Sequence, residues 1–136
     1  MHVDGGCHCG NIKFEAEVDP ALVNICHCTD CQQLTGTAYR VNVRVKKQDI
    51  KLTGNVKHYV KTAESGARRK QGFCPECGTP VYSTTDDADP QVFGLRVGTV
   101  RQRALLPPKQ QGWCRSAMPW VQNIDALPKT ATQLQR

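Results

Sequence analysis

The sequence has no run of apolar residues that approaches the roughly 20 needed by a membrane-spanning helix. Residues 1–6 also lack the basic segment and apolar stretch that begin a secretory signal. We therefore expect a cytoplasmic protein with no membrane partner, in a compartment where thiols stay reduced and disulfides are rare.

Several well-known catalytic motifs are missing as well. None of the four histidines begins a His-x-Glu segment, which zinc nucleobase deaminases need for metal binding and proton transfer. The two-histidine helix motif of metalloproteases is absent, and no Gly-rich phosphate loop occurs. These absences exclude the commonest zinc hydrolases and nucleotide-binding enzymes.

Cysteine, in contrast, is plentiful: the chain has eight, and seven fall into three tight groups. The groups are Cys7-His8-Cys9, Cys26-His27-Cys28-Thr29-Asp30-Cys31 and Cys74-Pro75-Glu76-Cys77-Gly78. Cys-x-Cys sulfurs converge easily on an ion but pair poorly with each other, which favours metal over disulfides. The three groups are one ligand short of two complete tetrahedral sites. Because structural zinc takes four protein ligands and reactive zinc takes three, the count predicts one site of each kind.

The structural site is predicted from two pairs of cysteines. Cys74 and Cys77, followed by Gly78, have the spacing of a zinc knuckle, which supplies two ligands from one tight turn. Cys7 and Cys9 provide a matching pair. We therefore predict that these four cysteines hold a structural zinc that contributes to folding stability.

The reactive site is predicted from Cys26, Cys28 and Cys31, which lie within six residues and can hold one ion from a loop and the start of a helix. Three thiolates make zinc a weaker Lewis acid than three histidines do, and better suited to an exchangeable thiolate. A substrate thiol in the fourth position loses its proton on coordination. The predicted chemistry is therefore that of thiols, with these three cysteines as catalytic zinc ligands.

Other ligand sets remain open at this stage. Cys114 could close the second site as a fourth sulfur, giving two inert structural zincs. His8 and His27 could also bind metal, although each lies between two cysteines and is expected to point away. A further alternative is that the reactive zinc is lost, leaving three reduced thiols or an oxidised pair.

The formal net charge of +6 counts every cysteine as neutral. Seven thiolates around two zinc ions would lower it to about +3, which weakens any case for a nucleic-acid partner. The basic residues are dispersed, and they predict either a solvated surface or a rim that attracts an anionic small molecule. They are Arg40, Arg44, Lys46, Lys47, Lys51, Arg68, Arg69, Lys70, Arg101 and Arg103.

Alternating apolar and polar residues predict a mainly β, antiparallel fold. The predicted strands are 12–18, 39–45, 56–61, 80–84 and 92–97. The only helical pattern is short, from Asp30 to Leu34, with Gly36 as a C-terminal cap. The length of 136 residues predicts a single domain, with a core over 3–127 and a polar tail over 128–136.

The same motifs resemble the glutathione-dependent formaldehyde-activating enzyme family, which is related to centromere protein V domains. The matching segments are 6–14, 26–36, 72–80 and Pro119-Trp120, so the resemblance covers roughly residues 3–127. It implies a β-tent fold, shared with a zinc-binding chaperone of Rab GTPases. It also implies two zinc ions, held as predicted above, and a carbon–sulfur lyase reaction that joins glutathione to formaldehyde as S-(hydroxymethyl)glutathione.

One departure from the family concerns the strand before Pro119-Trp120. Family members often carry a histidine there, whereas this chain has Gln111-Gly112-Trp113-Cys114. Gln111 and Trp113 are therefore candidate substrate contacts that could change the preferred thiol. Thr35 and Gly36 are candidates for the pocket floor or simply for a helix cap. Arg68, Arg69 and Lys70 are candidates to meet substrate carboxylates.

Two hypotheses of function follow. The first is an enzyme that acts on a small thiol such as glutathione and a small aldehyde, or cleaves their adduct. The second is a non-catalytic zinc module that recognises a protein or nucleic acid. Loss or change of one zinc on titration with a thiol would distinguish the first from the second.

Overall fold

The computed structural model describes residues 1–135, which contain ten β-strands, one α-helix and several short 3-10 turns. The strands are β1 (His2–Gly6), β2 (Lys13–Glu17), β3 (Val23–Cys26), β4 (Arg40–Lys46), β5 (Ile50–Thr53), β6 (Lys57–Thr62), β7 (Arg68–Phe73), β8 (Pro80–Thr85), β9 (Val92–Arg96) and β10 (Gln110–Gly112). Helix α1 (Thr29–Thr35) lies between β3 and β4. The predicted mainly β fold with very short helical elements is confirmed.

The strands form two sheets. The smaller sheet has the order β1-β2-β5, and the larger has the order β10-β3-β4-β9-β8-β7-β6. Within the described chain, each neighbouring pair is antiparallel except β10 and β3, which run parallel. This edge is the one departure from the predicted antiparallel pairing. It places Gly112 beside Cys26, the first cysteine of the middle group.

The five predicted strands correspond to β2, β4, β6, β8 and β9, and each boundary agrees to within one residue. The predicted helix is also present. Cys28 caps its N-terminus, and Gly36 ends it in the left-handed conformation with a φ of 69°. The alternation of apolar and polar residues did not predict the other five strands, which are short or lack alternation. They are β1, β3, β5, β7 and β10.

The core lies between the inward faces of the two sheets. Val3 and Phe14 come from the small sheet, while Val43, Val81 and Leu95 come from the large one. All five are at most 3% exposed. The three residues of the large sheet occupy one of its faces, and polar side chains occupy the opposite face. The opposite face lies next to the cysteine groups described below.

The rest of the described chain consists of short helical segments and an exposed C-terminal tail. No helix among residues 1–135 is long and apolar enough to cross a membrane. A 3-10 segment that the sequence analysis did not anticipate runs over Pro119–Ala126. Residues 128–135 are exposed and outside any helix or strand. Arg136, the last residue of the predicted polar tail, lies outside the described residues.

Candidate metal centres and active site

The structure brings four cysteines from distant parts of the sequence together: Cys7, Cys9, Cys74 and Cys77. Their sulfurs all lie within 4.8 Å of one another. The Sγ atom of Cys9 is 3.7 Å from the Sγ atoms of both Cys7 and Cys74. A zinc–sulfur bond of about 2.3 Å gives a tetrahedron with edges of about 3.8 Å. The donor set and its spacing therefore fit a four-thiolate zinc.

This four-cysteine cluster connects the two sheets. Cys7 and Cys9 lie in the turn between β1 and β2 of the small sheet, and Cys74 and Cys77 lie in the turn between β7 and β8 of the large one. Cys74 is fully buried, whereas Cys9 is exposed. A metal at this point would join one hairpin turn of each sheet.

Backbone and side-chain donors surround these sulfurs. The amide N–H of Ile12 donates to Cys7 Sγ at 3.1 Å, and the N–H of Glu76 donates to Cys74 Sγ at 3.4 Å. Hydrogen bonding from Thr79 lowers the pKa of the Cys77 thiol to about 5. Such donors favour thiolate over thiol, which is the form that binds metal.

The second cluster consists of Cys26, Cys28 and Cys31, whose sulfurs also lie within 4.8 Å of one another. Cys26 ends β3, Cys28 caps helix α1, and Cys31 lies in its first turn. The N–H of Cys31 donates to Cys28 Sγ at 3.3 Å. Hydrogen bonding with Cys26 lowers the pKa of Cys31 to about 5, and the positive charge of Arg40 contributes. Three convergent, half-buried thiols fit a zinc held by three sulfurs.

The other candidate ligands lie elsewhere. Within residues 1–135, no histidine, carboxylate or further cysteine joins the three-cysteine cluster at this spacing. Cys114 begins a 3-10 turn, and its thiol is 3.8 Å from the carbonyl oxygen of Gln111. The sequence analysis placed Cys114 in a strand; the structure places it in this turn, where it is exposed. His8 is exposed and stands apart from both clusters.

His27 points away from the sulfurs, as expected, and contacts Gln111. It is 2% exposed, and its Nε2 lies 2.7 Å from Oε1 of Gln111. Its ring also meets Tyr39 edge-on, with ring centroids 5.5 Å apart. Gln111 therefore supports the loop of the three-cysteine cluster from β10.

Trp113 follows β10 in a strained conformation. Among residues 1–135 it is the one non-glycine residue with a positive φ, at 57°. Such a conformation costs on the order of 1–3 kcal/mol and is often found at functional sites. The guanidinium of Arg115 lies 5.0 Å from its ring. Trp113, Gln111 and Cys26 line one cavity of about 380 Å³, so this cavity reaches the first cysteine of the three-cysteine cluster.

A second cavity, of about 400 Å³, lies between helix α1 and the knuckle turn. Leu34 of α1 and Gly78 of the knuckle form part of its wall. Arg40 and Arg96 also line it, and both side chains are only 6% exposed. The sequence analysis counted Arg40 among the dispersed basic residues and did not single out Arg96. Both occupy polar positions of alternating strands, which in sequence resemble solvent-facing positions.

The remaining candidate residues divide into several environments. Arg68 is exposed and its Nε donates to Asp86 at 2.9 Å, whereas Arg69 donates to Ser83 at 3.3 Å. Lys70 follows on the opposite face of β7, where its charge acts on His58. Thr35 donates its hydroxyl to the carbonyl oxygen of Cys31 at 2.6 Å. Gly36 is the helix cap, so Thr35 and Gly36 both contribute to local helix geometry.

Two known proteins are similar to this chain, one in its structure and one in its sequence. A crystal structure of a Rhodobacter sphaeroides protein superposes with a TM-score of 0.59 at 21% identity, covering 79% of this chain and 98% of that one. At this identity the likeness concerns the fold alone. An uncharacterized lyase of Schizosaccharomyces pombe is 25% identical over 79 residues, which are 58% of this chain and 55% of the yeast protein. The chain thus spans about half the length of that curated relative.

A family model described as glutathione-dependent formaldehyde-activating enzyme matches residues 2–116, a range that contains all three cysteine groups. The match confirms the resemblance based on the cysteine motifs, and it extends over most of the chain. The protein belongs to the glutathione-dependent formaldehyde-activating enzyme family.

Proposed function

We propose that this protein is a zinc-dependent enzyme that adds a small thiol to a small aldehyde, or cleaves the resulting adduct. The reaction would be of the carbon–sulfur lyase type and resemble that of S-(hydroxymethyl)glutathione synthase, with glutathione and formaldehyde as substrates. Membership of the family supports the proposal, as does the similarity to a yeast protein named as a lyase.

The observation that carries the proposal is the three-cysteine cluster. Its sulfurs converge within 4.8 Å, while Cys114, His8 and His27 lie outside the group. A site with three protein ligands is typical of catalytic rather than structural zinc. Zinc held by Cys26, Cys28 and Cys31 would supply a Lewis acid that lowers the pKa of a substrate thiol.

The overall reaction needs no oxidant or reductant. A bond forms between the sulfur of the thiol and the carbonyl carbon of the aldehyde, and the π electrons of that carbonyl move to its oxygen. The oxygen takes up the proton that the thiol released, which balances the reaction. Positioning the two substrates against each other is therefore the main task left to the protein.

Residues around the two cavities would do this positioning. Gln111 holds the buried His27, which keeps the loop of the cluster in place. Trp113 forms the wall of the cavity that reaches Cys26, and its bulk would exclude water from the aldehyde. The four-cysteine cluster would be structural, and we propose that it makes residues 3–127 a single domain by joining the two sheets.

The proposal is tested by comparing the zinc-loaded wild type with Cys31→Ser. Because thiols and formaldehyde also combine without a catalyst, the measured quantity is the rate of adduct formation above background, followed by exchange NMR with a panel of thiols. We expect Cys31→Ser to lower this rate by at least about tenfold. Mutation of residues that only hydrogen-bond to metal ligands already lowers metal affinity or activity by about that factor. Cys114→Ser, the same chemical change outside both clusters, should leave the rate unchanged.

The same samples distinguish the enzyme from a non-catalytic zinc module. Cobalt in place of zinc gives each cluster a visible absorption band. Titration with glutathione should change the band of one cluster and leave that of the other constant. Two unchanged bands, together with no rate above background for any thiol, would contradict the proposed function and favour the binding module.

A further inference from the structure

Two buried arginines, Arg40 and Arg96, lie beside the three-cysteine cluster. Arg40 pairs with Cys26 between β4 and β3, so the two side chains project from the same face of the sheet. Arg40 also hydrogen-bonds the thiol of Cys31. Arg96 of β9 pairs with Asn42, two residues further along β4, and donates to its side-chain oxygen at 2.7 Å. The large sheet therefore presents two guanidinium groups on the side of the cysteines.

Neither arginine has a carboxylate partner. Eight ion pairs occur in the described chain, and none of them includes Arg40 or Arg96. Arg96 donates instead to neutral side chains, which are those of Asn42, Gln71 and Ser83. Both arginines are only 6% exposed, so solvent screens their charges little. A buried charge is costly unless an opposite charge lies nearby.

The cysteines of the cluster supply the opposite charge. Burial lowers the pKa of Arg96, and the charges of Cys31 and Cys26 oppose this shift. The hydrogen bond from Arg40 brings a second positive charge to Cys31. The arginines and the thiolates therefore stabilise one another, although they come from four different elements, β3, α1, β4 and β9.

A count of charges shows which fourth ligand this arrangement fits. Three thiolates and a divalent ion together carry one net negative charge. The two arginines change this to one net positive charge while water or a neutral thiol occupies the fourth position. A fourth ligand with one negative charge, such as a thiolate, brings the total to zero. The buried charges are therefore balanced when a thiolate is bound.

We propose that Arg40 and Arg96 are positioning residues that supply the counter-charge for a substrate thiolate bound at the three-cysteine cluster. The inference rests on the proposed function and adds to it the residues that keep the bound thiol deprotonated. Without them, a fourth thiolate gives the metal and its ligands two net negative charges at a half-buried site, which is costly. The effect depends on charge, so it applies to any thiol, whatever other groups that thiol carries.

The test measures the binding of 2-mercaptoethanol, a thiol with no charged group besides its sulfur, to the cobalt-loaded protein. The visible absorption of cobalt in the three-cysteine cluster reports its fourth ligand, so no aldehyde and no turnover are needed. We expect Arg40→Gln and Arg96→Gln each to weaken this binding at least about tenfold, the size of effect typical of groups next to metal ligands. Arg101→Gln removes an equal charge from an exposed arginine paired with Asp4, and should bind like the wild type.

Two further measurements separate charge from packing. Arg40→Lys and Arg96→Lys keep the positive charge and should recover most of the thiol binding. Binding of the thiolate releases a proton to solvent, so a tenfold weaker affinity should raise the pH of half-saturation at a fixed thiol concentration by about one unit. Imidazole, a neutral ligand of cobalt, should bind the glutamine variants at least as tightly as it binds the wild type.

Three outcomes would overturn the inference. One is thiol binding by either glutamine variant that equals that of the wild type. Another is a loss in the lysine variants as large as that expected of the glutamine variants, since shape rather than charge would then matter. This second comparison decides the question even if a glutamine variant fails to fold. The third is lower cobalt content with unchanged thiol affinity of the loaded clusters, since the arginines would then serve only the protein's own thiolates.

The inference and the proposed function can fail separately. Thiol binding that depends on Arg40 and Arg96, with no catalysed reaction of any thiol, would leave the counter-charge standing and contradict the enzyme. Catalysed adduct formation, together with thiol binding that is the same in the wild type and in both glutamine variants, would leave the enzyme standing and contradict the counter-charge.

Discussion

Nε2 of His27 donates a hydrogen bond to Oε1 of Gln111 over 2.7 Å, across 84 residues of sequence. The carbonyl oxygen of a glutamine can only accept, so Nε2 carries the proton. The Nδ1 atom of the same ring is buried without a partner in the described chain, which leaves this hydrogen bond as the polar anchor of the imidazole. Gln111, an exposed residue of β10, thus fixes the ring of His27, while the backbone of His27 is bonded to Gly112 and to the side chain of Gln32.

This contact predicts the effect of Gln111→Leu. The substitution leaves the buried N–H of His27 without an acceptor, which should lower the free energy of unfolding by about 1–3 kcal/mol. Gln111→Glu keeps an acceptor oxygen and should retain most of the stability. Urea denaturation of the zinc-loaded proteins measures both. Equal losses in the two variants would show that the hydrogen bond is unimportant.

The two cysteine clusters should respond differently to the same substitution. Cys74→Ser removes a sulfur from the cluster that joins the sheets, so the free energy of unfolding should fall by more than about 3 kcal/mol. Cys28→Ser alters a loop and helix start, and should preserve the fold while removing one zinc per chain. Zinc content and thermal unfolding, measured together, test this. Similar melting curves for the two variants would contradict the division of roles.

Gly54 is predicted to be irreplaceable for steric reasons. Its φ is 101°, and a methyl group there would overlap the backbone carbonyl of Asn11. Asn11 donates to Cys74 Sγ at 3.5 Å, so the strain would reach the four-cysteine cluster. Gly54→Ala should therefore destabilise the protein by more than the roughly 1–2 kcal/mol expected from the positive φ alone.

Gly66→Ala is the matched control for this prediction. Gly66 also has a positive φ, of 88°, but nothing lies within 4 Å of the position of an added methyl group. Its substitution should have only the conformational cost. If the two alanine variants unfold at the same urea concentration, the contact with Asn11 has no energetic weight.

His58 predicts a dependence of stability on pH. His58 is exposed, but partial desolvation of its ring, with a contribution from the charge of Lys70, lowers its pKa below 6.5. The unfolded chain therefore binds a proton at a higher pH than the folded protein does, and stability falls as the pH drops below about 6.5. His58→Gln can still bond the hydroxyl of Tyr82, which lies 2.6 Å from Nε2, but it cannot titrate.

Unfolding of the wild type and of His58→Gln should be compared at about pH 7.5 and about pH 5.5. Acid also weakens metal binding by cysteines, so the informative quantity is the difference between the two proteins at each pH. We expect the variant to lose less stability than the wild type on acidification. Parallel losses would mean that His58 does not contribute.

The sequence was most informative where chemistry is local. Cysteines that share a metal from one loop must be close in sequence, so Cys26, Cys28 and Cys31 could be grouped without knowledge of the fold. Strands with one buried face, such as β4, were predicted because apolar and polar residues alternate along them. Both signals depend on neighbours within a few residues.

Strand β7 shows why other elements were not predicted. Its sequence has no apolar alternation, since Arg69 and Gln71 occupy one face and Lys70 and Gly72 occupy the other. A methyl group on Gly72 would lie 2.6 Å from the ring of Tyr82, so this glycine makes room for an aromatic ring of β8. The burial of Arg40 and Arg96 was missed for a related reason. Arg40 and Arg96 are buried by residues from other strands, a property that no local pattern records.

The parallel edge formed by β10 bears on how the chain is made. Strand β3 and the three-cysteine loop leave the ribosome early, whereas their neighbour β10 is synthesised more than eighty residues later, as the 84-residue separation of His27 and Gln111 shows. Long-range pairings of this kind form slowly. During translation the three-cysteine loop is therefore complete before the strand that pairs with β3 and the glutamine that bonds His27 have been synthesised.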